Sequence, residues 1–245
     1  MITPLYFIKY FKEEAHADQF QNGTLYMNRL SYFRNLEETL ENVRADTYEG
    51  AAKIWQPKSF SLEFKSPGMK RLNIYPRNLS GPVAMTHAIS DYWHIFSMYA
   101  LSVDLPCDRG LYNNFSNQEK RCIKSNLHVD ERCLNFGPFA VIVKIREFLD
   151  QVLEAMRKQN MTFRARMVDY YDPAQFHGAF ADDEIMFNKS MYYSYQNEYR
   201  ICASPLSVGR DPIRICIDSI AAISQKLPSR DINRRLMEET TLTVT

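Results

Sequence analysis

Two side chains near the C-terminal end have the types and spacing to act on a sugar. Gln196 and Glu198 are separated by one residue and lead into the apolar run 199–203. If that run is a strand, alternation places both side chains on the same side of the chain. Glu198 would then stabilise developing positive charge on a sugar or polarise a ribose hydroxyl. The alternative is a structural ion pair between Glu198 and Arg200 or Lys189.

A second chemical motif lies closer to the N-terminus, where the order is Arg44-x-Asp46-x-x-Glu49-Gly50. An arginine can hold a phosphate through two parallel hydrogen bonds, and the carboxylates can accept from ribose hydroxyls. The motif therefore predicts binding of a phosphate or a ribose, with Arg44 as the donor and Glu49 beside it. The alternative is a solvated face with local ion pairs, which contribute little to stability.

Residues 86–99 combine histidines, serines and aromatic side chains. His87 and His94 lie seven apart without a carboxylate at matching spacing, so no metal site is predicted. No G-x-S-x-G elbow occurs, so serine nucleophile chemistry is not predicted either. The aromatic side chains of such a segment more often fill a core than stack a base or a nicotinamide. The other histidines stand in polar surroundings and indicate no site: His16, His128 and His177.

Composition bounds the class of protein. The chain has 245 residues, 45% hydrophobic, with a net charge of +1, which suits one globular domain and excludes a disordered or disulfide-scaffold chain. Eight glycines make a phosphate-cradling glycine loop improbable. The near-neutral charge disfavours a dedicated nucleic-acid binder. A nucleic-acid alternative rests on basic side chains interleaved with aromatic ones: Lys65, Lys70, Arg71, Arg77, Arg164 and Arg166, with Phe64 and Tyr75.

The expected compartment is the cytoplasm, without membrane attachment. Residues 1–10 lack the basic and long apolar regions of a signal peptide, and no uncharged apolar run reaches the ~18 residues of a membrane span. The five cysteines include no C-x-x-C pair, which argues against a zinc ribbon. Cys202 and Cys216 lie in apolar runs, where a free cysteine behaves as a small hydrophobic residue.

Periodicity predicts a single α+β domain over residues 1–245, with mixed or antiparallel central sheets flanked by helices. Strands are predicted at 5–10, 24–27, 83–90, 95–100, 139–145, 162–171, 199–203, 213–217 and 220–223. Helices are predicted at 13–21, 146–159, 183–195 and 230–239, and residues 31–41 carry a mixed helical signal. The polar, irregular residues 107–133 are predicted to form a surface insertion.

Short motifs follow one another along most of the chain. The opening order is Phe7-Ile8-Lys9-Tyr10-Phe11, then Phe20-x-x-Gly23-x-Leu25-Tyr26, then Leu30-x-x-Phe33-Arg34-x-x-Glu37. The middle landmarks are Ser90, Trp93 and Met98-Tyr99-Ala100. The last are Val168-x-Tyr170, Lys189, Glu198-Tyr199-Arg200-Ile201 and the closing segment 220–236. These motifs resemble a broad bacterial and phage family, domain of unknown function 2971.

The order of these landmarks is similar, in outline, to ADP-ribosyltransferase folds. Those use a basic or aromatic residue on the first strand, a serine on a middle strand and a glutamate before a later strand. The resemblance implies Lys9 or Tyr10 in the first role, Ser97 or Ser90 in the second and Glu198 in the third. The first position here is neither the arginine nor the histidine usual in those enzymes.

The resemblance implies NAD as cofactor and a nucleotide as the small-molecule partner. Its diphosphate would meet Lys9 or Arg44, and its nicotinamide would stack on Phe33 or Tyr99. Glu198 would hold the ribose hydroxyl as nicotinamide leaves, and the acceptor would be a protein side chain, a nucleic-acid base or water. This predicts an NAD-using transferase or hydrolase of toxin or phage-defence type. The alternative is a non-catalytic module that recognises a nucleotide or a host protein.

Overall fold

The longest strand, β7 (His94–Asp104), forms the centre of the main sheet. Strand β13 (Glu198–Ser204) pairs with one side of β7. On the other side, β7 pairs first with β2 (Thr24–Arg29) and then with β1 (Ile2–Phe11). The computed structural model describes residues 2–34, 46–59, 61–65, 68, 71–88, 92–104, 127–205 and 211–242.

Four further strands extend this sheet to eight, and every pairing in it is antiparallel. They are β8 (Phe139–Lys144) and β15 (Ser224–Pro228) beyond β1, β9 (Thr162–Met167) beyond β13, and β14 (Ile213–Cys216) beyond β2. The chain is therefore a mixed α+β fold built mostly of antiparallel sheet, as the sequence predicts.

Three smaller sheets accompany the main one, and only the pair β10–β12 among them is parallel. Their strands are β3 (Ala51–Trp55), β4 (Leu62–Phe64), β5 (Leu72–Ile74), β6 (Val83–Thr86), β10 (Asp169–Tyr171), β11 (Gly178–Ala179) and β12 (Asn188–Ser190). The short strand β12 matters most for the site, because it carries Lys189.

Helices cover both faces of the main sheet. They are α1 (Glu14–Gln21), α2 (Leu30–Arg34), α3 (Ile145–Lys158) and α4 (Ile232–Leu242). On one face, Phe20 of α1 and Phe148 of α3 pack with Phe7 of β1. On the other face, Ile8 packs in a cluster with Ile232 of α4. Phe7 and Ile8 serve opposite cores because successive strand side chains alternate.

Most predicted strands are confirmed, and so is the amphipathic helix at 146–159, which corresponds to α3. The predicted strand at 162–171 divides at Val168 into β9, which pairs with β13, and β10, which pairs with β12. The strand predicted at 83–90 is described only to Thr86 as β6. The helical signal at 31–41 is described only as far as Arg34, where α2 ends.

Two predicted elements are wrong. Residues 183–195 are not a helix but two 3-10 turns, Ile185–Phe187 and Met191–Gln196, on either side of β12. The strand between them is bonded to distant residues, since β12 pairs with β10 and the Ser190 N–H donates to Asp46 at 3.2 Å, and a local pattern does not reveal these contacts. Residues 220–223 form another 3-10 turn, and the strand after it, β15, has no counterpart among the predicted strands.

The predicted surface insertion at 107–133 does not extend to its last residues. Leu127, Val129 and Cys133 are buried in the core cluster beside α4, and residues 107–126 lie outside the described part of the chain. Cys202 is buried as predicted, whereas Cys216 is exposed, because its position in β14 faces solvent. No helix within the described residues has the length and apolar character to cross a membrane.

Candidate functional site

The main sheet splits beside the middle of β7. The partner of Ile95 is Asn28 of β2, whereas the partner of Tyr99 is Ile8 of β1, so residues 96–98 face the gap between β1 and β2. Lys9 closes part of this gap. Its ammonium donates to the Ser97 carbonyl at 2.6 Å and lies 4.3 Å from the centre of the Phe96 ring.

A cavity of about 630 Å³ lies at the split, within the size range of small-molecule sites. The structure brings most of the sequence-predicted site residues to its wall: Lys9, Tyr10, Phe33, Glu49, Ser97, Tyr99, Gln196 and Glu198. Arg44 and Ser90 lie outside the described residues. Of the two candidate serines, Ser97 is the one among the described residues, and it lines the cavity.

Four charged side chains form what we call the buried quartet: Glu49, Lys189, Glu198 and Arg200, each at most 5% exposed. Arg200 binds Glu49 through two nitrogens at 2.6 and 3.0 Å, and its Nε lies 2.5 Å from Glu198 Oε1. Lys189 Nζ lies 2.9 Å from Glu198 Oε2 and 3.9 Å from Glu49. The two carboxylates and two cations compensate one another.

Strand alternation and one tight turn assemble this quartet. Glu198 and Arg200 are two apart on β13, so they project from the same face of the sheet. Glu49 arrives on a turn that closes with its N–H bonded to Asp46 O at 2.9 Å. The turn ends at Gly50, whose φ of +70° suits glycine, and an added Cβ would lie 2.8 Å from the Leu30 side chain.

Glu198 is fully bonded within the protein. The Ser97 hydroxyl and Arg200 both donate to its Oε1, and Lys189 donates to its Oε2. The backbone N–H of Glu198 donates to the Tyr170 hydroxyl at 2.9 Å. The ion pairs that the sequence offers as an alternative for Glu198 are therefore both present.

Gln196 and Glu198 share a partner, although strand alternation is not the cause, because Gln196 ends a 3-10 turn and Asn197 between them has a left-handed φ of +37°. Lys189 Nζ donates to Gln196 Oε1 at 2.7 Å and to Glu198 Oε2. The sequence offers Lys189 and Arg200 as alternative ion-pair partners of Glu198. It does not show that both bind Glu198 at once. The contribution of Tyr170 could not be predicted from its position in a presumed single strand.

Charge decides the protonation state of Glu198. Burial by itself raises the pKa of the carboxyl, but the charges of Arg200 and Lys189 outweigh this effect and hold the pKa well below its usual range. The same contacts raise the pKa of Arg200, although burial opposes them. Glu198 is therefore a carboxylate at neutral pH. Burial, with the Cys133 thiol and Asp130 nearby, raises the pKa of Tyr99 to about 12.

Asp46 connects the Glu49 turn to β12. Its carboxylate is 1% exposed and accepts backbone N–H groups from Tyr48 at 2.9 Å and Ser190 at 3.2 Å. Burial and the nearby charge of Glu49 raise its pKa. Two acidic residues of the predicted Arg44 motif thus stand in the protein interior, so the solvated-face alternative is wrong for Asp46 and Glu49.

The outer part of the cavity, which we call the cavity mouth, is defined by Lys12, Glu13, His16, Tyr26 and Arg214. Arg214 of β14 is paired in register with Tyr26 of β2, and its guanidinium lies 5.3 Å from the Tyr26 ring centre. These residues share no sequence motif, so they could not be predicted as a group. His16, which the sequence does not indicate as a site residue, lies on this wall.

His94 does not line the cavity. The His94 ring is completely buried, with Nε2 3.1 Å from Asp211 O, and burial lowers its pKa. In the ranges that the structure describes, no group of three His, Cys, Asp or Glu side chains is arranged to hold a metal ion.

The residues of the nucleic-acid alternative are partly neutralised by acidic neighbours. Lys65 and Arg71 both approach Glu63, at 3.2 and 3.5 Å. Arg164 binds Asp183 at 2.8 Å, Arg166 binds Asp169 at 2.6 Å, and Arg77 lies over the Tyr75 ring. Lys70 lies outside the described residues.

Membership of a known family would have provided a second basis for assigning the site. Comparisons with protein-family models, with curated proteins and with solved structures find no match to this chain. The geometry of the cavity and of the buried quartet is therefore the basis for assigning a function.

Proposed function

We propose that this protein binds NAD in the cavity and breaks the bond between nicotinamide and ribose, in an ADP-ribosyltransferase-like fold. The observation that carries the proposal is the hydrogen bond from Ser97 to Glu198 at the cavity wall, between strands β7 and β13. The resemblance implies Glu198 for the glutamate, and Ser97 is one of the two serines, Ser97 or Ser90, that it implies. A carboxylate beside a small-molecule cavity is also what a glycosidic cleavage requires.

The proposed reaction uses the negative charge of Glu198. When the ribose–nicotinamide bond breaks, its electron pair goes to the pyridinium nitrogen, and positive charge develops on the ribose. An ionised carboxylate stabilises that charge, and the low pKa keeps Glu198 ionised. The nucleophile of a protein side chain, a base or water then bonds to the ribose carbon and releases its proton. Tyr99 and Phe33 line the cavity as stacking surfaces for nicotinamide.

Arg200 and Glu49 position Glu198 in the proposed reaction. Arg200 binds Glu198 on one side and Glu49 on the other, so it fixes the orientation of the Glu198 carboxylate. Lys189 occupies Glu198 Oε2, the oxygen that a ribose hydroxyl would approach. Ligand entry is expected to exchange this Lys189 contact for a ribose contact.

A second function has its own supporting observation. Both carboxylate oxygens of Glu198 are bonded to side chains of the protein, and the quartet compensates its own charge. If Lys189 is not displaced, Glu198 has a structural role and the protein recognises a nucleotide without cleaving it. This non-catalytic module is the alternative proposal.

Release of nicotinamide from NAD tests the choice between the two functions. Purified protein is incubated with NAD and cell lysate as acceptor, beside Glu198→Gln and the matched control Glu154→Gln. Glu154 is exposed on α3 and outside the cavity. We expect release by wild type and control, and a loss of about 10²-fold or more in Glu198→Gln.

The outcome assigns the function in either direction. No release from folded wild-type protein, or equal release from Glu198→Gln, would refute the cleavage proposal. NAD binding measured by calorimetry in the absence of turnover would then support the non-catalytic module.

A further inference from the structure

Positive charge in the cavity is uncompensated only toward its outer end, among the residues that the structure describes. The buried quartet is internally paired, and Lys9 is bonded to the Ser97 carbonyl. At the mouth, Lys12 and Arg214 form no ion pair with any described residue. His16 adds a third basic group there, and Glu13 is the one carboxylate of the mouth.

We propose that the cavity mouth is a phosphate site, in which Lys12, His16 and Arg214 bind the phosphate groups of a nucleotide ligand. This assignment rests on the proposed function for the class of ligand, a nucleotide in this cavity. It moves the phosphates from Lys9 or Arg44, which the sequence resemblance implies, to residues that no sequence motif connects.

The chemistry of the mouth suits phosphate better than a carboxylate or a neutral group. Arg214 presents a planar set of donors that binds two phosphate oxygens at once, and Lys12 adds a mobile point charge. Tyr26 lies beneath the guanidinium and limits its orientations, because a cation above an aromatic face is attracted to it. Thr24 and Asn28 lie on the same side of β2 as Tyr26 and add polar groups to the wall.

The shape of the site favours a small molecule over a nucleic-acid strand. The cationic groups line one cavity of about 630 Å³ that leads inward to the quartet, instead of forming a long groove. A strand would need a stripe of basic and aromatic side chains along the surface. Four basic side chains of the nucleic-acid alternative are bound to Glu63, Asp169 and Asp183, namely Lys65, Arg71, Arg164 and Arg166.

The test measures binding of ADP-ribose, ADP and adenosine to purified protein by isothermal titration calorimetry. ADP-ribose and ADP are expected to bind at least about tenfold more tightly than adenosine, which lacks phosphate. Lys12→Ala and Arg214→Ala should each weaken ADP-ribose binding about fivefold, and added salt should weaken it further. Glu13→Gln should strengthen it about two- to threefold, because a repelling charge is removed.

Lys158→Ala is the matched control, since Lys158 is exposed on α3 and does not line the cavity. Its ADP-ribose affinity should equal that of wild type. Equal affinities of adenosine and ADP-ribose, wild-type affinity in both Lys12→Ala and Arg214→Ala, or no ADP-ribose binding at all would overturn the phosphate site. So would tighter binding of a single-stranded oligonucleotide than of ADP-ribose. All these side chains are exposed at the mouth, so folded variants are expected and circular dichroism confirms them.

This experiment is separable from the test of NAD cleavage, because ADP-ribose contains no nicotinamide bond. Phosphate-dependent binding without nicotinamide release would retain the phosphate site and refute only the cleavage proposal. Nicotinamide release that is unaffected by Lys12→Ala and Arg214→Ala, with no ADP-ribose binding, would retain the cleavage proposal and refute the phosphate site.

Discussion

Replacing Arg200 with methionine is the sharpest test of the buried quartet. Methionine has a similar length and an apolar character, so it fills much of the space but removes the guanidinium. Arg200 is 1% exposed and donates to Glu49, Glu198 and the Met186 carbonyl at 2.6 Å. Its removal leaves two buried carboxylates with a single nearby cation, Lys189.

The expected loss of stability comes from this excess of buried negative charge. Removing one partner of a buried ion pair costs ~3–5 kcal/mol, because an uncompensated charge remains in the protein interior. Lys189 stays 2.9 Å from Glu198 but 3.9 Å from Glu49, so Glu49 is the charge left with the weaker compensation. We expect Arg200→Met to lower the free energy of unfolding by ~4 kcal/mol at neutral pH.

The pH dependence of this loss has a definite sign. In the wild type, the pKa of Glu198 is lowered by folding, so its contribution is present above the unfolded pKa of ~4.3 and is lost as pH falls. In Arg200→Met, the larger of the two charges that lower the pKa of Glu198 is absent, so that pKa is higher than in the wild type although Lys189 remains. Protonation then relieves the buried charge. The difference between variant and wild type should therefore shrink between about pH 7 and pH 5.

Urea unfolding followed by tryptophan fluorescence at both pH values measures the difference. Arg164→Met is the matched control, because Arg164 lies on the neighbouring strand β9 and its ion pair with Asp183 is half exposed. That variant should change stability by less than about 0.5 kcal/mol. A loss below about 1 kcal/mol in Arg200→Met, or a loss that is the same at both pH values, would refute this account of the quartet.

Three further predictions concern the framework around the site. Lys9→Met should lower the free energy of unfolding by ~1–2 kcal/mol in urea titrations, because the Ser97 carbonyl loses its donor at the strand split; an unchanged midpoint would contradict this role. Alkylation followed by mass spectrometry should label Cys216 in the native protein and spare Cys133, which is buried and has its pKa raised by burial to about 12; equal labelling would show that the core beside α4 opens readily. Gly23→Ala should cost at least about 2 kcal/mol in thermal unfolding, since φ is +90° and the new Cβ would lie 2.2 Å from a backbone oxygen, and a wild-type melting temperature would contradict it.

The candidate site illustrates what residue patterns can and cannot predict. The spacing of Gln196 and Glu198 predicts that both side chains face the same way, and both do contact Lys189. The reason differs from strand alternation, because Gln196 ends a 3-10 turn and Asn197 after it is left-handed. The sequence indicates Glu49 only as part of a polar motif that would bind a phosphate or a ribose. Its true partner is Arg200, 151 positions later in the chain, and no local spacing encodes that pairing.

The mouth residues could not be found from the sequence. Lys12 follows β1, His16 lies on α1 and Arg214 lies on β14, so they converge only when β14 pairs with β2 beside the helix. The predicted helix at 183–195 is wrong for a related reason. Burial of Ser190 and its neighbours depends on contacts with Asp46 and β10, which outweigh the helical propensity of the segment.

Local patterns in the amino-acid sequence are sufficient for the elements whose burial has a strong period. Short runs of apolar, β-branched and aromatic side chains predict β1 and β8 as buried strands, and the apolar stripe of residues 146–159 predicts α3. The split between β1 and β2, the cavity within it and the charge of its walls arise only from the tertiary structure. These depend on strand register, which brings Arg200 opposite Ser97. Register is set by pairing between segments that are distant in the sequence. The energy of a buried charge depends on which partners this pairing brings close to it.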